Sequence, residues 1–167
     1  NVLSQGVHAC DLLRYVAGGE PVEVYAVGGN YYQKTGVIDN LAAVFRFDNG
    51  VSVNWVNGDC NRPPLPSKFY LQMFAENRSV TISDRLTTLT YSAAGEEPVV
   101  FKGTESGFME ENLAFLACLR QDAAPPIGVI DGLYATVMVL QAFRSIETGK
   151  PEPIKQRVQS LQEQGKI

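Results

Sequence analysis

The sequence has few of the residues from which metal and redox sites are built. The chain of 167 residues contains a single histidine, His8, which excludes a site with several histidine ligands. Its three cysteines, Cys10, Cys60 and Cys118, include no C-x-x-C pair, so they provide neither a disulfide framework nor a zinc spacing. We expect a reduced, cytoplasmic protein without a metal site, in which any imidazole chemistry depends on His8.

Basic residues and long apolar runs are also scarce. The net charge is −4 and the pI is near 5.0, which argues against nucleic acid or an anionic membrane as a partner. The longest apolar stretch, from Tyr134 to Leu140, is too short to cross a bilayer, and residues 1–5 show no sign of a signal peptide. With 45% hydrophobic residues, the chain can bury a core.

Apolar periodicity predicts one helix, then a run of strands, then two helices. The first helix spans 4–17 and ends at two glycines. Short connections between alternating segments predict antiparallel pairing. The fold class is therefore α+β, with a largely antiparallel open sheet and helices packed on one face. The later predicted elements are strands at 21–33, 40–47, from 51, 68–75, 79–83, 85–91 and 98–102, and helices at 105–120 and 130–148.

The predicted domain covers residues 1–150, and the last residues, 151–167, form a polar tail that is either a frayed helix or disordered. If the helices cover one face of the sheet, the other face is exposed to solvent unless a partner covers it. Trp55, Tyr70 and Phe74 predict that this second face is apolar, which is typical of an interface. We therefore expect a homodimer or tetramer that associates through the sheet.

One set of polar residues on the first helix is a candidate for chemistry. Ser4, His8, Asp11 and Tyr15 are spaced by four, three and four, so they share one helix face. This face is either an ordinary solvated surface or an acid/base site in which Asp11 orients the imidazole of His8 and holds its tautomer. The spacing leaves both interpretations open.

A second candidate lies in a predicted loop with three prolines, between the strand that contains Trp55 and the strand that begins at 68. Asn57, Asp59 and Arg62 are able to form hydrogen bonds with a substrate there, because loops on a rigid sheet often bind ligands. The alternative is an ordinary surface loop. Gln33 and Lys34, at the end of the first long strand, are weaker candidates for the same cleft.

The first helix also carries a family resemblance. G-V-H-A-C-D-L-L-R-Y-V-A-G at 6–18, followed by E-P-V-E-V at 20–24, resembles the opening of the second domain in the glucose–fructose oxidoreductase/inositol dehydrogenase/MocA family. The family pattern is G-x-H-x-x-D-x-x-x-x-x-x-G and then E-P-x-x-V. Later matches lie in order over about residues 1–150: D-N at 39–40, D-N-G at 48–50, the helix segment 115–120, P-P at 125–126, D-G-L at 131–133 and a helix that ends at 145–149.

The resemblance implies an NAD(P)-dependent oxidoreductase of sugars, cyclitols or related polyols. Such proteins have an N-terminal Rossmann domain and a C-terminal α+β domain whose open sheet often forms the oligomer interface. The histidine of the pattern, here His8, moves the proton of the substrate hydroxyl while hydride passes to the nicotinamide. No G-x-G-x-x-G turn and no E-K-P loop occur in this chain, so we expect NAD or NADP to bind mainly to a Rossmann domain that the chain lacks.

The chain departs from the family at one position that bears on activity. Many members have Asp four residues before the histidine, where this chain has Ser4, which brings a hydroxyl but no negative charge. We predict a substrate-binding and oligomerisation domain that is inactive in isolation. The alternative is a non-catalytic binding or scaffold module that uses the same sheet for self-association. The substrate, the choice between NAD and NADP and the effect of Ser4 stay open.

Overall fold

The computed structural model describes residues 2–58, 69–104 and 107–165. These residues form four helices and two antiparallel four-stranded sheets, which confirms the α+β class. The elements in order are α1 (Val2–Ala17), β1 (Pro21–Gly29), β2 (Asn40–Phe47), β3 (Ser52–Gly58), β4 (Leu71–Ala75), β5 (Arg78–Ser83), β6 (Thr88–Ala93), β7 (Val99–Lys102), α2 (Phe108–Gln121), α3 (Val129–Thr148), β8 (Glu152–Pro153) and α4 (Lys155–Glu163).

The strands belong to two sheets, where the sequence pattern suggested one. The chain divides into two compact units, and each unit contains one of the sheets. Unit 1 comprises Asn1–Asn61 and Pro126–Ile167, with strand order β3-β2-β1-β8, and unit 2 comprises Arg62–Pro125, with strand order β4-β5-β6-β7.

In unit 1, α1 and α3 cover one face of the sheet. Alternation along the strands turns Val24, Ala26, Phe45 and similar side chains toward these helices, where they are buried. The core residues contributed by the sheet are Val24, Ala26, Leu41, Ala43, Phe45, Phe47 and Trp55, and those contributed by the helices include Val2, Cys10, Leu13, Met138, Val139 and Ala142.

Trp55 was expected on the open face of the sheet, and this expectation is wrong. Its side chain is only 5% exposed, and its ring lies 6.1 Å from the ring of Phe45 on the face that the helices cover. In β3 it is Asn54 and Val56 that point to the other face, because alternate residues of a strand point in opposite directions.

The residues after 150 form ordered structure in unit 1. β8 pairs with Glu23 and Val24 of β1, and α4 follows directly. Ile154 and Val158 are almost fully buried and fix this segment to the unit. Of the two alternatives for the tail, helix is the one the structure shows. Two apolar anchors are too few to produce a clear helical period in the sequence.

Helix α3 is the one described helix that is long and apolar enough to cross a membrane by length and composition. In the fold, however, eight of its twenty residues are buried, and it packs against α1, β1 and β8. A core helix passes the same test of composition, and these contacts identify α3 as the core helix of unit 1.

Unit 2 is a meander of antiparallel hairpins followed by α2. The turn between β4 and β5 places Glu76 and Asn77 in the left-handed region, with φ of 49° and 62°. The register continues without a shift from β4 to β7. None of the residues described in α2 is buried within the chain.

Candidate functional site

The sheet of unit 1 has two ends with different structures. At one end, which we call the loop end, Gly29, Asn40 and Gly58 lie side by side in the register of β1, β2 and β3. Helix α1 begins toward this end. At the opposite end, the capped end, the side chain of Asn49 donates a hydrogen bond of 2.8 Å to the carbonyl of Ala17, where α1 finishes. The candidate chemistry lies toward the loop end.

Gly6, the first residue of the G-x-H pattern, sets how closely α1 approaches the sheet. A Cβ atom at this position would lie 2.9 Å from Cη2 of Trp55 and 3.2 Å from Cγ2 of Val139. Such distances are shorter than normal carbon contacts, so only glycine fits without movement of the core. Because an α-helix turns about 100° per residue, this contact directs His8 to the side of α1 away from the core.

The four polar residues of the first helix lie on that outward side. Ser4, His8 and Tyr15 are exposed, and Asp11 is half-buried, whereas Val2, Gly6, Cys10 and Leu13 face the core. The imidazole of His8 is therefore accessible to a ligand. Among the described residues, no hydrogen bond or ion pair joins Asp11 to His8. Tyr15 lies about 10 Å from His8 along the helix axis, at 1.5 Å per residue.

Cys10 lies on the same helix but belongs to the core. Its side chain is fully buried, and this burial, together with the neighbouring Asp11 carboxylate, raises the pKa of the Cys10 thiol. A thiol that stays protonated and inaccessible is a poor nucleophile. Cys10 therefore packs as a small apolar residue.

A buried carboxylate organises the connection between β1 and β2 at the loop end. Asp39 is only 2% exposed, and its oxygens accept hydrogen bonds from the backbone N–H groups of Tyr31, Tyr32 and Gln33 at 2.8, 2.8 and 2.5 Å. The side-chain amide of Asn40 donates a further bond of 2.8 Å, and that of Asn30 donates one of 3.3 Å.

These donors determine the charge state of Asp39. Burial on its own would raise the pKa of the carboxyl group, but the backbone donors and the amide of Asn40 outweigh this effect and hold the pKa well below its usual range. The ionised carboxylate fixes three consecutive backbone groups. Gln33 and Lys34, the weaker candidates from the sequence, lie in this segment.

Of the candidates in the proline-containing segment, Asn57 lies within the described residues. It is half-buried near the end of β3, two residues after Trp55, so its side chain points to the same face of the sheet as Trp55 and α1. This places Asn57 on the helix-covered face at the loop end. Asp59 and Arg62 lie outside the described residues.

A cluster of charges at the capped end was not identified from the sequence. The guanidinium of Arg14 donates to both oxygens of Glu20, at 2.9 and 2.6 Å, and to Asp131 at 2.6 Å. It also lies 4.7 Å from the centre of the Tyr134 ring. The hydrogen bond to Glu20 and the contact with Asp131 raise the pKa of Arg14 despite its partial burial.

Residues of the D-N-G turn join the same end of the unit. Asp48 accepts hydrogen bonds of 2.9 Å from the backbone of Glu20 and 2.8 Å from Lys155. Arg14, Glu20, Asp48, Asn49 and Asp131 all occur in the segments that carry the family resemblance. Their contacts show that these positions hold α1, β1, α3 and α4 together. Many of the positions that carry the resemblance therefore serve the fold and not the reaction.

The described residues offer no place for a metal ion or a dinucleotide. Within residues 2–58, 69–104 and 107–165, no group of three His, Cys, Asp or Glu side chains has an arrangement that could hold a metal ion. The strands in these ranges pair only in antiparallel fashion, whereas a dinucleotide site requires a glycine-rich turn between a parallel strand and a helix. The residues present therefore do not fit NAD or NADP.

Comparison with known proteins agrees with this fold. The aldose–aldose oxidoreductase from Caulobacter crescentus, solved with glycerol, has a TM-score of 0.76 and 18% identity, over 89% of this chain and 45% of that chain. The UDP-N-acetylglucosamine 3-dehydrogenase from Acidithiobacillus ferrooxidans has a TM-score of 0.74 and 22% identity, over 86% and 46%. The WlbA dehydrogenase from Bordetella pertussis, solved with NADH and UDP-GlcNAcA, has a TM-score of 0.59 and 19% identity, over 89% and 43%.

The chain thus spans about half of the length of these solved structures. No curated protein matches it in sequence. The family model of the GFO/IDH/MocA C-terminal domain matches residues 2–72, which include α1 and the first three strands. The sequence match over residues 2–72 and the shared fold confirm the predicted resemblance to C-terminal domains of the GFO/IDH/MocA oxidoreductases.

Proposed function

We propose that this chain is the substrate-binding half of an NAD(P)-dependent oxidoreductase that acts on a sugar, cyclitol or related polyol in the cytoplasm. The observation that carries the proposal is the position of the single histidine. His8 is exposed on α1, and the close contact of Gly6 with Trp55 holds the helix in that orientation. A histidine buried among apolar side chains would have no access to a substrate hydroxyl group.

The step that we assign to this chain is proton transfer. The imidazole of His8 accepts the proton of the substrate hydroxyl group and returns it in the reverse direction. Asp11, three residues along the same face, orients the ring and stabilises the imidazolium. Ser4, one turn before His8, and Asn57, at the end of β3, form hydrogen bonds with other substrate hydroxyls. Tyr15, with Asp59 and Arg62, completes the proposed set of binding residues.

Solved structures with this fold support the substrate class. The Caulobacter crescentus protein was crystallised with glycerol and the Bordetella pertussis dehydrogenase with UDP-GlcNAcA and NADH. Since this chain has no place for a dinucleotide among its described residues, we propose that NAD(P) binds to a separate Rossmann domain and that the chain is inactive without it.

The role of His8 is tested by substitution in the complete protein. His8→Ala should lower kcat by a factor of about 10² to 10⁴, the usual effect of losing a general acid or base. Gln5→Ala, on the same helix but away from the polar face, is the matched control and should keep wild-type turnover. Turnover of His8→Ala equal to that of the control would refute the proposed proton transfer.

A second function, self-association, is supported by the face of the unit 1 sheet that points away from α1 and α3. Tyr25 and Val44 are paired across β1 and β2 on this face, and both are more than 40% exposed. Val27 and Val56 extend the apolar surface. We propose that a second copy of this chain covers it in a dimer or tetramer. A non-catalytic scaffold module would use the same face, and intact association without any turnover in the wild-type protein would favour that alternative.

A further inference from the structure

We infer that residues 30–37, held in place by Asp39, form a rigid wall of the substrate site and that Tyr31 and Tyr32 bind the apolar face of a pyranose ring. The inference deepens the proposed function, because the choice of a sugar as ligand rests on it. Asp39 would then be a positioning residue, which acts through the two tyrosines.

The segment is longer than its place in the sheet requires. β2 and β3 are antiparallel neighbours, and a short turn around Asn49 and Gly50 joins them. β1 and β2 are also antiparallel neighbours, yet residues 30–39 separate them. Most hairpin connections have two to five residues, and longer ones in compact domains usually have a function. Reversal of the chain direction alone therefore does not explain the length of the segment between β1 and β2.

The segment is nevertheless anchored near both of its ends by hydrogen bonds. The backbone N–H groups of residues 31–33 donate hydrogen bonds to the carboxylate of Asp39. The side-chain amide of Asn30, which also contacts Asp39, donates a hydrogen bond of 2.6 Å to the carbonyl of Val37. The backbone N–H of Asp39 donates to the carbonyl of Gly29 at 3.0 Å, which closes the base of the loop. The buried carboxylate thus fixes the backbone that carries both tyrosines.

The ordered backbone presents two aromatic rings to solvent. Tyr31 is 74% exposed and Tyr32 is 54% exposed, although aromatic rings are normally buried where the fold allows it. Glycine at position 29 leaves room for the ring of Tyr31, because a Cβ there would lie 3.1 Å from its Cε1 and Cζ atoms. The ring of Tyr31 therefore lies beside the backbone at Gly29.

The chemistry of these side chains fits a pyranose. A pyranose ring has C–H groups on its faces and hydroxyl groups around its rim, so an aromatic face and nearby polar groups together complement it. Gln33 and Lys34 carry an amide and an ammonium group in the same segment. An acyclic polyol has the same hydroxyl groups but no rigid apolar face, so it should bind this wall more weakly.

The segment lies at the end of the sheet where we place the reaction. It follows Gly29, the last residue of β1, which pairs with Asn40 beside Gly58. Helix α1, which carries Ser4 and His8, begins toward this same loop end. We call Tyr31 and Tyr32 on this segment the tyrosine wall. The topology thus places the tyrosine wall, Asn57 and the outward face of α1 around one end of unit 1.

Ligand binding by the isotope-labelled 167-residue chain tests the inference without any turnover. Addition of D-glucose should shift the amide signals of residues 31–34 more strongly than addition of sorbitol. Tyr31→Ala and Tyr32→Ala should each weaken glucose binding by about three- to tenfold, the range for loss of an aromatic stacking contact. Tyr70→Ala is the matched control, since Tyr70 is an exposed tyrosine of unit 2, and it should bind glucose as the wild type does.

The positioning role of Asp39 has its own measurement. Asp39→Asn should accelerate hydrogen exchange at the amides of residues 31–33 and, in the complete enzyme, raise KM severalfold while kcat changes less than twofold. If Asp39→Asn fails to fold, Asn30→Ala removes two hydrogen bonds of the same segment and should show the same pattern more weakly. An equal fall in kcat and rise in KM would indicate general damage and overturn the positioning role.

Several results would overturn the tyrosine wall itself. These are the absence of glucose-induced shifts at 31–34, equal binding of glucose and sorbitol, or a loss of affinity in Tyr70→Ala equal to that in Tyr31→Ala. Failure of the proposed function gives a different result: His8→Ala would keep full turnover while Tyr31→Ala still lost affinity for glucose.

Discussion

Gly6 affects both the packing of α1 against the sheet and the direction in which the candidate residue His8 points. The ring of Trp55 and a methyl group of Val139 occupy the space that any side chain at Gly6 would need. The same contact fixes the rotation of α1, which turns His8 outward. Packing thus accounts for the glycine of the G-x-H pattern. The same packing turns the histidine of the pattern to the outward side of α1.

Substitution of Gly6 should destabilise the fold even though alanine favours helices. Gly6→Ala forces Trp55 or α1 to move, and such overpacking costs about 1–3 kcal/mol, more than the roughly 1 kcal/mol gained in helix propensity. Denaturant unfolding measures the change, and fluorescence of Trp55, the only tryptophan, reports whether the contact is altered.

Gly132 provides the control for this experiment. It also lies in a helix, α3, but nothing lies within 4 Å of the Cβ position. Gly132→Ala should therefore stabilise the chain by up to about 1 kcal/mol. A gain in stability of the same size for Gly6→Ala would show that the contact with Trp55 does not restrict that position.

At the scale of elements, the capped end depends on ionised carboxylates. Asp131 accepts hydrogen bonds from the backbone N–H of Gly128, at the start of α3, and from Arg14 on α1. The bond from Gly128 and that from Arg14 lower the pKa of Asp131. Asp48 is held in the same way, since Lys155 and the backbone of Glu20 lower the pKa of its carboxyl group.

This cluster should make stability depend on pH on the acid side. A carboxyl group with a lowered folded-state pKa stabilises the fold above its unfolded-state pKa of about 4, and that contribution is lost as the pH falls through the folded-state value. Asp131→Asn should therefore be less stable than the wild type near pH 7 and should lose less stability between pH 4 and 2. Urea unfolding at a series of pH values measures both effects.

Glu147→Gln, an exposed position on the same helix, is the matched control and should keep the acid-side dependence of the wild type. An unchanged dependence in Asp131→Asn as well would show that the Arg14 cluster does not control acid stability.

The order and type of the elements were predictable, because periodicity is a local property of the sequence. Helix α1 and strand β2 occur close to their predicted bounds. The contact of Arg14 with Asp131 joins residues 117 positions apart, and nothing in local spacing indicates it. Helix α4 was uncertain for a related reason, since two buried side chains fix it and the rest of its surface is polar.

The candidate site was predictable only in part. The spacing of Ser4, His8 and Asp11 was enough to place them on one helix face, and the structure shows that this face is outward. The role of Asp39 in ordering the segment before it, residues 30–37, was missed, because it depends on three backbone donors that no sequence pattern encodes. The D-N pair at 39–40, noted for its resemblance, was the only available signal.

At the scale of the whole molecule, the face of the unit 1 sheet that points away from α1 and α3 is the proposed contact between copies. Its centre is the pair Tyr25 and Val44, beside Asn54, and the ion pair of Glu23 with Arg46, at 2.9 Å, lies at one edge. Exposed apolar residues in adjacent strands are typical of an interface. This proposed contact lies on the opposite face of the sheet from α1, which carries the proposed substrate site.

Light scattering after size-exclusion chromatography tests this contact. The wild-type chain should elute with the mass of a dimer or tetramer, and Val44→Glu should weaken association at least tenfold, because an unpaired charge is buried at high cost. Val100→Glu, an exposed valine on the sheet of unit 2, is the control and should leave the mass unchanged. A monomeric wild type at high concentration would rule out the contact.

A structure of the full-length protein with a sugar or polyol bound tests the proposed role of His8 most directly. If His8 transfers the proton, one of its ring nitrogens will lie within hydrogen-bond distance, about 2.6–3.2 Å, of the hydroxyl group that reacts. A bound substrate whose reactive hydroxyl contacts a different acid or base, with His8 facing solvent elsewhere, would contradict that role.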